Sequence, residues 1–331
     1  MMPETMKAVV LTGPTKAEDV KLTDFPVPKV RPGWVLVKVR AFGMNHSEAI
    51  LRRSEIRSNA IPKPIIPGIE CVGEIADPSD SPFETGQRVA AFMGGMGRSF
   101  HGSYAKYALL PSSHVFKVDS SLTWAQLAAV PETYFTAWGS LFQCLDLKPE
   151  DVLLIRGGIC ALGYAAIQLA KALGCRVIAT THKEEKLPLL EEADQAVLDR
   201  GSLTKSGRLA AAEEKVGRVT KALELVGPRT LCDTLKCMWP GGIVCNTGIL
   251  GGGFGLNGFD PIKDIPNGVY LTGFYSNWPS KSEVDEILRF LEVYGLTPCV
   301  GACFDFAQIR EACMALDEGS VNGKIVVNVS A

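Results

Sequence analysis

The stretch IRGGICALG, residues 155–163, has the spacing of a turn that binds the pyrophosphate group of a dinucleotide. The usual fingerprint, G-x-G-x-x-G, opens a helix and brings phosphate close to bare backbone. Gly158 and Gly163 occupy its first and third glycine positions, and Cys160 replaces the second glycine. Because a helix N-terminus offers N–H donors and a positive dipole whatever its side chains, we expect weakened rather than abolished phosphate binding. The predicted contacts are Gly158, Cys160, Ala161 and Leu162.

The end of the following strand helps to separate a cofactor site from an ordinary buried turn, which would show the same pattern. An NAD site has an Asp or Glu about 20 residues after the turn, bonded to the ribose 2′-hydroxyl. Here the sequence is TTHKEEK, in which Thr181, His182 and Lys186 provide hydroxyl and cationic groups that suit a 2′-phosphate. These residues favour NADPH over NADH. Glu184 and Glu185 keep a solvated loop of mixed charge as the alternative.

The bulk composition limits the classes of partner. With 331 residues, the chain is long enough for two domains. Lys and Arg number 34 against 36 Asp and Glu, and the net charge of -2 argues against nucleic-acid or membrane-surface partners. There is no run of about 18 apolar residues, and the N-terminus lacks the apolar core of a signal peptide. We expect a cytoplasmic protein with reduced thiols, because its ten cysteines form no C-x-x-C pair.

The elements that carry these residues form two patterns. The first 120 residues hold short β-branched and aromatic runs broken by Pro and Gly, which predicts a β-rich domain. From about Leu122, strands alternate with helices, which predicts a parallel sheet covered on both faces. Later strand candidates are Ala196–Asp199, Gly242–Thr247 and Val269–Phe274, and the helix after the turn should end at Gly174. The predicted division is a β-rich domain at 1–122 with 298–331 and a dinucleotide-binding domain at 123–297.

Stretches spread over the whole chain also carry a resemblance to a known family. They are MKAVVLTG, GWVLVKVRAFGMNHSE, PIIPGIECVGEI, GQRVAAF, GSYAKYALLP, PETYFTAW, VLLIRGGICALGYAAIQLAKALGCRVIATT and GKIVVNV. Together they resemble the medium-chain dehydrogenase/reductase superfamily, more closely its zinc-free quinone oxidoreductase branch. The resemblance implies an α/β fold: a Rossmann domain with a doubly wound parallel sheet, and a β-rich GroES-like catalytic domain made from both chain ends. It also implies a homodimer joined by edge strands, for which Val269–Phe274 is the candidate.

The zinc ligands of the family's alcohol dehydrogenases are replaced in this chain. Those enzymes hold a catalytic zinc with a Cys, with the His of a G-H-E motif and with a later ligand. Here the Cys position is Asn45, and the motif reads Gly68-Ile69-Glu70. An amide and an aliphatic side chain do not replace thiolate and imidazole, so we expect no metal. Without a Lewis acid, an unactivated alcohol is a poor substrate, whereas quinones and α,β-unsaturated carbonyls are easier to reduce.

The resemblance also implies individual site residues. Asn45 lies where relatives place a polar residue beside the nicotinamide, although capping the helix that follows is an equally good interpretation. Tyr104 and Tyr134 are candidate proton donors, with core packing as the alternative. The 93–103 loop is a candidate mobile lid or a plain surface turn, and its Arg98 is a candidate contact for an acidic substrate. Arg200 is the implied stacking partner of adenine, and Gly248, Ile249 and Leu250 are the implied ribose contacts. The other implied cofactor contacts are Thr136, Thr181, Lys186, Phe274, Tyr275, Ser276 and Asn322.

These observations together predict an NADPH-dependent, zinc-independent reductase that transfers hydride directly to a quinone-type acceptor. An enone or enoyl double-bond reductase on the same scaffold is the alternative enzyme, and the sequence does not separate the two. A third hypothesis is a non-catalytic NADPH-binding protein that regulates a partner, which the replaced glycine at Cys160 and the lack of a clear acid group would fit.

Overall fold

The computed structural model describes residues 3–253 and 255–329. Contacts within the chain define two units, unit 1 (Met1–Glu132 with Asn277–Ala331) and unit 2 (Thr133–Ser276). The division predicted from the sequence places residues 123–132 and 277–297 in the dinucleotide-binding domain instead. None of the helices in the described residues is long and apolar enough to cross a membrane.

The strands and helices follow the predicted change from a β-rich to an alternating pattern. The strands are β1 (Thr5–Val9), β2 (Leu22–Pro26), β3 (Trp34–Met44), β4 (Glu70–Asp77), β5 (Arg88–Phe92), β6 (Tyr107–Pro111), β7 (Val115–Lys117), β8 (Val152–Arg156), β9 (Arg176–Thr181), β10 (Gln195–Leu198), β11 (Lys221–Glu224), β12 (Ile243–Asn246), β13 (Tyr270–Gly273), β14 (Val300–Asp305) and β15 (Lys324–Asn328). The helices are α1 (His46–Arg53), α2 (Trp124–Ala128), α3 (Pro131–Trp138), α4 (Ala161–Leu173), α5 (Leu203–Ser206), α6 (Arg208–Val216), α7 (Leu231–Lys236), α8 (Pro261–Asp264), α9 (Lys281–Val293) and α10 (Ile309–Glu318). A π-helical segment, Gly139–Cys144, continues α3, and short 3₁₀ helices lie at Ala17–Asp19, Glu55–Arg57, Ser112–His114, Glu184–Leu190 and Phe306–Gln308.

Unit 1 is built on a mixed sheet with the strand order β14-β15-β3-β4-β5-β7. Strand β6 also pairs with β3, and β1 pairs with β2 in a separate ladder. β15 pairs antiparallel with β3, with Ile325 opposite Met44, so the last strand of the chain lies in the same sheet as strands from its first 120 residues. The sequence pattern does not predict β14, because this edge strand alternates half-buried and exposed residues and lacks a continuous apolar run.

Unit 2 is built on a parallel sheet with the strand order β10-β9-β8-β11-β12-β13. The order reverses at β8, which confirms the predicted doubly wound sheet. β8 is buried along its whole length, as expected for a central strand covered on both faces. In such sheets, ligands bind outside the carboxyl ends of the strands where the order reverses. The relevant edge is therefore the end of β8 and of its neighbours β9 and β11.

Two helix boundaries in this part of the chain follow from residue chemistry. α4 ends at Gly174, whose left-handed φ of 100° suits glycine, and the predicted stop is confirmed. The buried face of α4 includes Ala166 and Leu169, whose spacing of three residues places them on one side of the helix. Pro131 is the first residue of α3, where a missing N–H group costs nothing, and it separates α3 from α2.

A buried ion network joins the carboxyl ends of the strands in unit 2. Arg156, the last residue of β8, is fully buried, and its guanidinium donates to the Asp199 carboxylate at 2.6 and 3.1 Å. The guanidinium also lies 3.0 Å from an oxygen of Asp233 and donates to Thr234 Oγ1 at 2.9 Å. Glu224, at the end of β11, accepts two N–H groups of the turn that follows, at 2.8 and 3.0 Å. Thr234 donates in turn to the other Glu224 oxygen, so the network joins β8, β11, α7 and the residue after β10 at the carboxyl edge of the sheet.

Replacement of the central cation tests this network. Arg156→Met should lower the free energy of unfolding by about 3–5 kcal/mol, because it leaves buried carboxylates without their positive partner. The matched control is Lys281→Met, which breaks an exposed ion pair with Asp285 and should cost less than about 1 kcal/mol. Urea denaturation of both variants measures the difference. Equal losses in the two variants would contradict the role assigned to Arg156.

Candidate functional site

Backbone atoms pack closely around the turn after β8. The Gly158 N–H donates to the Thr180 carbonyl at 2.8 Å, which ties the turn to the end of β9. A Cβ atom on Gly163 would lie only 2.4 Å from the Gly158 carbonyl oxygen, so this packing requires the third glycine of the pattern. A Cβ atom on Gly157 would lie 3.3 Å from Leu250 Cδ1. The turns after β8 and β12 therefore meet at this edge of the sheet.

Cys160 caps α4 at the position where the fingerprint has its second glycine. The Cys160 Sγ accepts the Gly163 N–H at 3.3 Å and also the Leu162 N–H, and the helix begins at Ala161. Burial raises the pKa of the thiol, which keeps the cap neutral, although these N–H donors oppose the rise. A phosphate at this turn has to compete with a weak sulfur acceptor for the same N–H groups. This competition is a physical basis for the weakened binding expected at Cys160.

The residues predicted to bind a 2′-phosphate lie together after β9 but differ in exposure. Thr181 is buried, and its Oγ1 accepts the backbone N–H two residues further on at 3.3 Å. His182 is exposed, and Lys186 is half-buried on the 3₁₀ helix that follows. Arg200, predicted to stack on adenine, lies 3.6 Å from Glu184 of the same 3₁₀ helix. The cationic groups therefore gather beside the end of β9, where Thr181 itself is covered.

The turn after β12 lies at the same edge of the sheet. Gly248, Ile249 and Leu250 follow this strand directly, as predicted from the sequence. A Cβ atom on Gly248 would lie 2.3 Å from the Leu225 carbonyl oxygen, so a glycine is required where the turns after β11 and β12 meet. Leu250 is 53% exposed, which leaves an apolar side chain open beside the turn after β8. The predicted ribose contacts are thus brought to the turn that carries Cys160.

The segment after β13 contacts α3. The ring of Phe274 lies 5.5 Å from the ring of Phe135, in an edge-to-face arrangement. Thr136, the next residue of α3, is buried. Tyr275 is 88% exposed and Ser276 is half-buried. The structure therefore brings Phe274 and Thr136 to neighbouring positions and leaves the Tyr275 side chain in solvent.

A second group of polar residues lies in unit 1 around Asn45. Lys324 Nζ lies 2.7 Å from Asn45 Oδ1 and 2.7 Å from Glu70 Oε1. Asn45 Nδ2 donates to Glu70 Oε1 at 2.9 Å. Lys324 and Glu70 are buried, whereas Asn45 is half-buried. The group is therefore an ion pair beneath a partly exposed amide, and Asn322 lies two residues before its lysine.

Glu48 joins this group from the first turn of α1. Asn45 is the N-cap of that helix, as its alternative interpretation predicted, and its backbone N–H donates to Glu48 Oε2. The Ile69 N–H donates to Glu48 Oε1 at 3.2 Å. Burial raises the pKa of Glu48 to about 7, and Glu70 adds to the rise whereas Lys324 opposes it. Glu48 therefore titrates near neutral pH.

The sequence interpretation missed Glu48, Glu70 and Lys324 as site residues, although each had a signal. The sequence NHSE places a Glu three residues after an N-cap type, which is the spacing of a capping box. Glu70 and Lys324 are charges inside the apolar runs IECVGEI and GKIVVNV. A charge in a buried strand needs a partner of opposite sign, so each of the two predicts the other.

Tyr104 is packed in the core of unit 1, which argues against its predicted role as a proton donor. Its ring stacks on Phe42 with centroids 4.4 Å apart, and only 2% of the residue is exposed. Burial raises the pKa of the phenol well above its usual range, and Glu48 adds to the rise. Within the described residues the hydroxyl has no hydrogen-bond partner. Packing accounts for Tyr104, and Tyr134 is likewise buried, with its hydroxyl donated to Gln168.

The 93–103 loop is tied to the rest of unit 1 and does not have the form of a free lid. The Arg98 guanidinium donates to Glu55 at 2.8 Å, so it is engaged in an ion pair instead of facing an acidic substrate. A Cβ atom on Gly102 would lie 2.2 Å from the Gly68 carbonyl oxygen, which shows how closely the loop packs on its neighbour. The interpretation as a surface turn fits these contacts better than a mobile lid.

Two family models match successive parts of the chain. The model described as Alcohol dehydrogenase GroES-like domain matches residues 31–120, and the model described as Zinc-binding dehydrogenase matches residues 161–293. The chain belongs to the medium-chain dehydrogenase/reductase superfamily. The predicted α/β fold with a Rossmann and a GroES-like domain is confirmed, and the chain is an oxidoreductase of a family that binds nicotinamide dinucleotides.

Individual relatives fit the quinone oxidoreductase-like branch of this superfamily. The quinone oxidoreductase of Homo sapiens is 26% identical over 310 residues, which are 92% of each chain. An acryloyl-coenzyme A reductase of Sulfurisphaera tokodaii is 22% identical over 349 aligned positions, which cover 97% of this chain and 99% of the relative. The crystal structure of a protein named AibC superposes with a TM-score of 0.86 at 29% identity, over 98% of this chain and 96% of AibC.

The catalytic zinc of the superfamily's alcohol dehydrogenases does not fit the residues present here. The positions that would supply thiolate and imidazole are Asn45 and Ile69. The Lys324 ammonium bonds both Asn45 Oδ1 and Glu70 Oε1, so a cationic side chain already engages the oxygen atoms that remain. Within the part of the chain that the structure describes, no group of three or more His, Cys, Asp or Glu residues could hold a metal ion.

A dinucleotide, in contrast, fits the carboxyl edge of the sheet in unit 2. α4 is 13 residues long and begins directly after the turn that follows the central strand. Its N-terminus therefore offers N–H groups and a positive dipole to a phosphate. Gly163 gives the close packing that this turn requires, and His182 and Lys186 add cationic groups at the end of the next strand.

A charge placed at the cap of α4 tests the phosphate site. Cys160→Asp should weaken the binding of both NADPH and NADH by at least about tenfold, because a carboxylate at this position repels the pyrophosphate. Cys160→Ser is the matched control, since its hydroxyl keeps a neutral cap, and its affinity should stay within about threefold of the natural protein. Cofactor fluorescence titration gives both dissociation constants. Unchanged affinity in Cys160→Asp would mean that the phosphates bind elsewhere.

Proposed function

We propose that this chain is an NADPH-dependent reductase that transfers hydride to a quinone-type acceptor without zinc. The observation that carries the proposal is the contact of 2.7 Å between Lys324 Nζ and Asn45 Oδ1. By resemblance, Asn45 stands where the alcohol dehydrogenases have a zinc-ligating Cys, and in this chain its amide is bonded to an ammonium group. An ammonium–amide pair is a weak substitute for the Lewis acid that stabilises an alkoxide. An electron-poor acceptor takes hydride more easily and needs only a hydrogen bond to its oxygen.

The residues of the chain bind and orient the reactants in this reaction. The bound dinucleotide supplies hydride, so that one NADPH, one proton and one quinone give one NADP⁺ and one hydroquinone. Leu162 and Gly163 present N–H groups to the pyrophosphate, and Lys186 faces the 2′-phosphate together with His182. Asn45 donates a hydrogen bond to the acceptor oxygen, where negative charge builds as the hydride arrives.

A second candidate is the reduction of a carbon–carbon double bond conjugated to a carbonyl group. The similarity to an acryloyl-coenzyme A reductase over 97% of this chain favours it. Hydride added to the β-carbon puts negative charge on the carbonyl oxygen. The chain therefore needs the same hydrogen bond from Asn45 to that oxygen as in quinone reduction. Membership of an oxidoreductase superfamily argues against the third hypothesis, a non-catalytic regulator.

We also propose that the chain forms a homodimer through β13 and acts on small molecules in the cytoplasm. β13 is an edge strand of the parallel sheet, and its Tyr270 is 61% exposed. An exposed edge strand can pair with the same strand of a second copy in a two-fold contact. The net charge of -2 provides no basic excess for nucleic acid or an anionic membrane surface, so neither is a proposed partner.

Turnover after removal of metals tests the proposed reaction. Protein treated with EDTA should oxidise NADPH with 1,4-benzoquinone or with but-3-en-2-one as fast as untreated protein, because no step depends on a metal. NADPH absorbance gives the rate, and analysis of the product, hydroquinone or saturated ketone, selects between the two candidates. Activity that disappears on chelation and returns with zinc would contradict the zinc-free proposal. The absence of turnover with both acceptors would contradict the choice of acceptor class.

The choice of cofactor is tested at Lys186. Lys186→Glu should lower kcat/KM for NADPH by at least about tenfold and leave the value for NADH within about threefold, because the new carboxylate repels only the 2′-phosphate. Lys215→Glu is the matched control, since it makes the same charge change at an exposed position of α6 and should affect neither cofactor. An equal loss for NADPH and NADH in Lys186→Glu would show that the residue does not contact the 2′-phosphate.

A further inference from the structure

The buried cluster in unit 1 has one member that a reactant can reach. Glu48, Glu70 and Lys324 are 3%, 0% and 2% exposed, whereas Asn45 is half-buried. We propose that Lys324 is a positioning residue of the reductase site, which fixes the Asn45 amide so that one N–H is offered to the acceptor oxygen, and that Glu48 competes with the acceptor for this N–H. The inference rests on the function proposed above.

The direction of the Asn45 amide follows from its neighbours. An ammonium group only donates hydrogen bonds, so the atom of Asn45 that lies 2.7 Å from Lys324 Nζ is the carbonyl oxygen. The amide nitrogen then faces the carboxylates, at 2.9 Å from Glu70 Oε1 and 3.5 Å from Glu48 Oε1. The first contact is a normal hydrogen bond, and the second is long. The Asn45 N–H that faces Glu48 is thus held weakly, and this N–H can donate a hydrogen bond to the acceptor oxygen.

The ion pair beneath the amide has little room to move. A Cβ atom on Gly43 would lie 2.4 Å from both Glu70 Oε1 and Lys324 Cε. The pair therefore packs directly on the backbone of β3, which only a glycine permits. The other oxygen of Glu70 accepts the Glu132 N–H at 2.6 Å, so both carboxylate oxygens are engaged. These contacts fix Lys324 Nζ and, through it, the Asn45 amide.

The charge on Glu48 decides whether the weakly held N–H is available. The groups that face this carboxyl are Glu70 on β4, Lys324 on β15, Tyr104 and, on α10, Cys313. Burial and the neighbouring Glu70 raise the pKa of Glu48 to about 7, against the opposing effect of Lys324. At lower pH, Glu48 is neutral and accepts the amide N–H less strongly, so the acceptor oxygen competes for it more easily. At higher pH, its negative charge holds the N–H and repels the charge that develops on the acceptor, so kcat should fall as the pH rises through 7.

The role of Lys324 is tested by steady-state kinetics with NADPH and 1,4-benzoquinone. Lys324→Met should lower kcat by at least about tenfold, with the KM for NADPH within about threefold, because the amide loses its orientation while the cofactor edge is untouched. Lys324→Arg keeps a buried cation that can donate to the same two oxygens, and it should recover most of the activity. A kcat that Lys324→Met leaves unchanged would overturn the proposal.

The role of Glu48 is tested by the pH profile of kcat. In the natural protein kcat should fall across neutral pH, and in Glu48→Gln this fall should disappear, because the amide has no charge to gain. Glu292→Gln is the matched control at an exposed position of α9, and its profile should follow that of the natural protein. A fall that persists in Glu48→Gln would overturn the proposal.

The two experiments separate this inference from the function on which it rests. Lys324→Met leaves Glu70 without its cation, and if circular dichroism shows that the variant does not fold, the pH profile of Glu48→Gln alone decides. A natural protein that reduces neither 1,4-benzoquinone nor but-3-en-2-one overturns the proposed function and the inference together. A natural protein that turns over, with variants that show neither effect, overturns the inference alone.

Discussion

The carboxyl edge of the parallel sheet in unit 2 depends on the buried guanidinium of Arg156. Arg156 is the last residue of the central strand β8, and its guanidinium bonds Asp199 directly after β10. The next residue, Arg200, is the predicted adenine contact. The Arg156 guanidinium also reaches Asp233 and Thr234 of α7. The Thr234 hydroxyl donates to Glu224, whose carboxylate fixes the turn after β11. A buried ion network of this kind is stable only when every member keeps its partner. The geometry of the turn after β8 is therefore set by residues that do not themselves have to contact a bound dinucleotide.

In unit 1, a buried ion pair likewise lies beneath Asn45, the candidate contact with the acceptor. Lys324 on β15 and Glu70 on β4 form a buried pair across the intervening strand β3, and the half-buried amide of Asn45 bonds both. Gly43 leaves the space that the pair occupies. In each unit, one buried cation bonds polar groups from different strands and helices and fixes their positions relative to one another. Such a constraint suits a site that has to be preorganised before the reactants arrive.

Features with local causes could be predicted from the sequence, whereas those with distant partners could not. The strand β8, the helix α4 and its end at Gly174 follow from apolar periodicity and glycine chemistry, and the alternation of strands and helices predicted the parallel sheet. The Arg156–Asp199 contact joins residues 43 apart, and the Lys324–Asn45 contact joins residues 279 apart. No local pattern contains such pairs. The burial of Tyr104 likewise depends on a distant residue, because its ring stacks on Phe42.

The most direct measurement of the central claim is a crystal structure of the complex with NADPH. We expect the pyrophosphate oxygens within hydrogen-bond distance of the Leu162 and Gly163 N–H groups, with the Cys160 thiol displaced from at least one of them. We also expect the 2′-phosphate beside Lys186. A pyrophosphate bound away from the turn after β8, or a 2′-phosphate without a contact to Lys186, would contradict this account of the cofactor site.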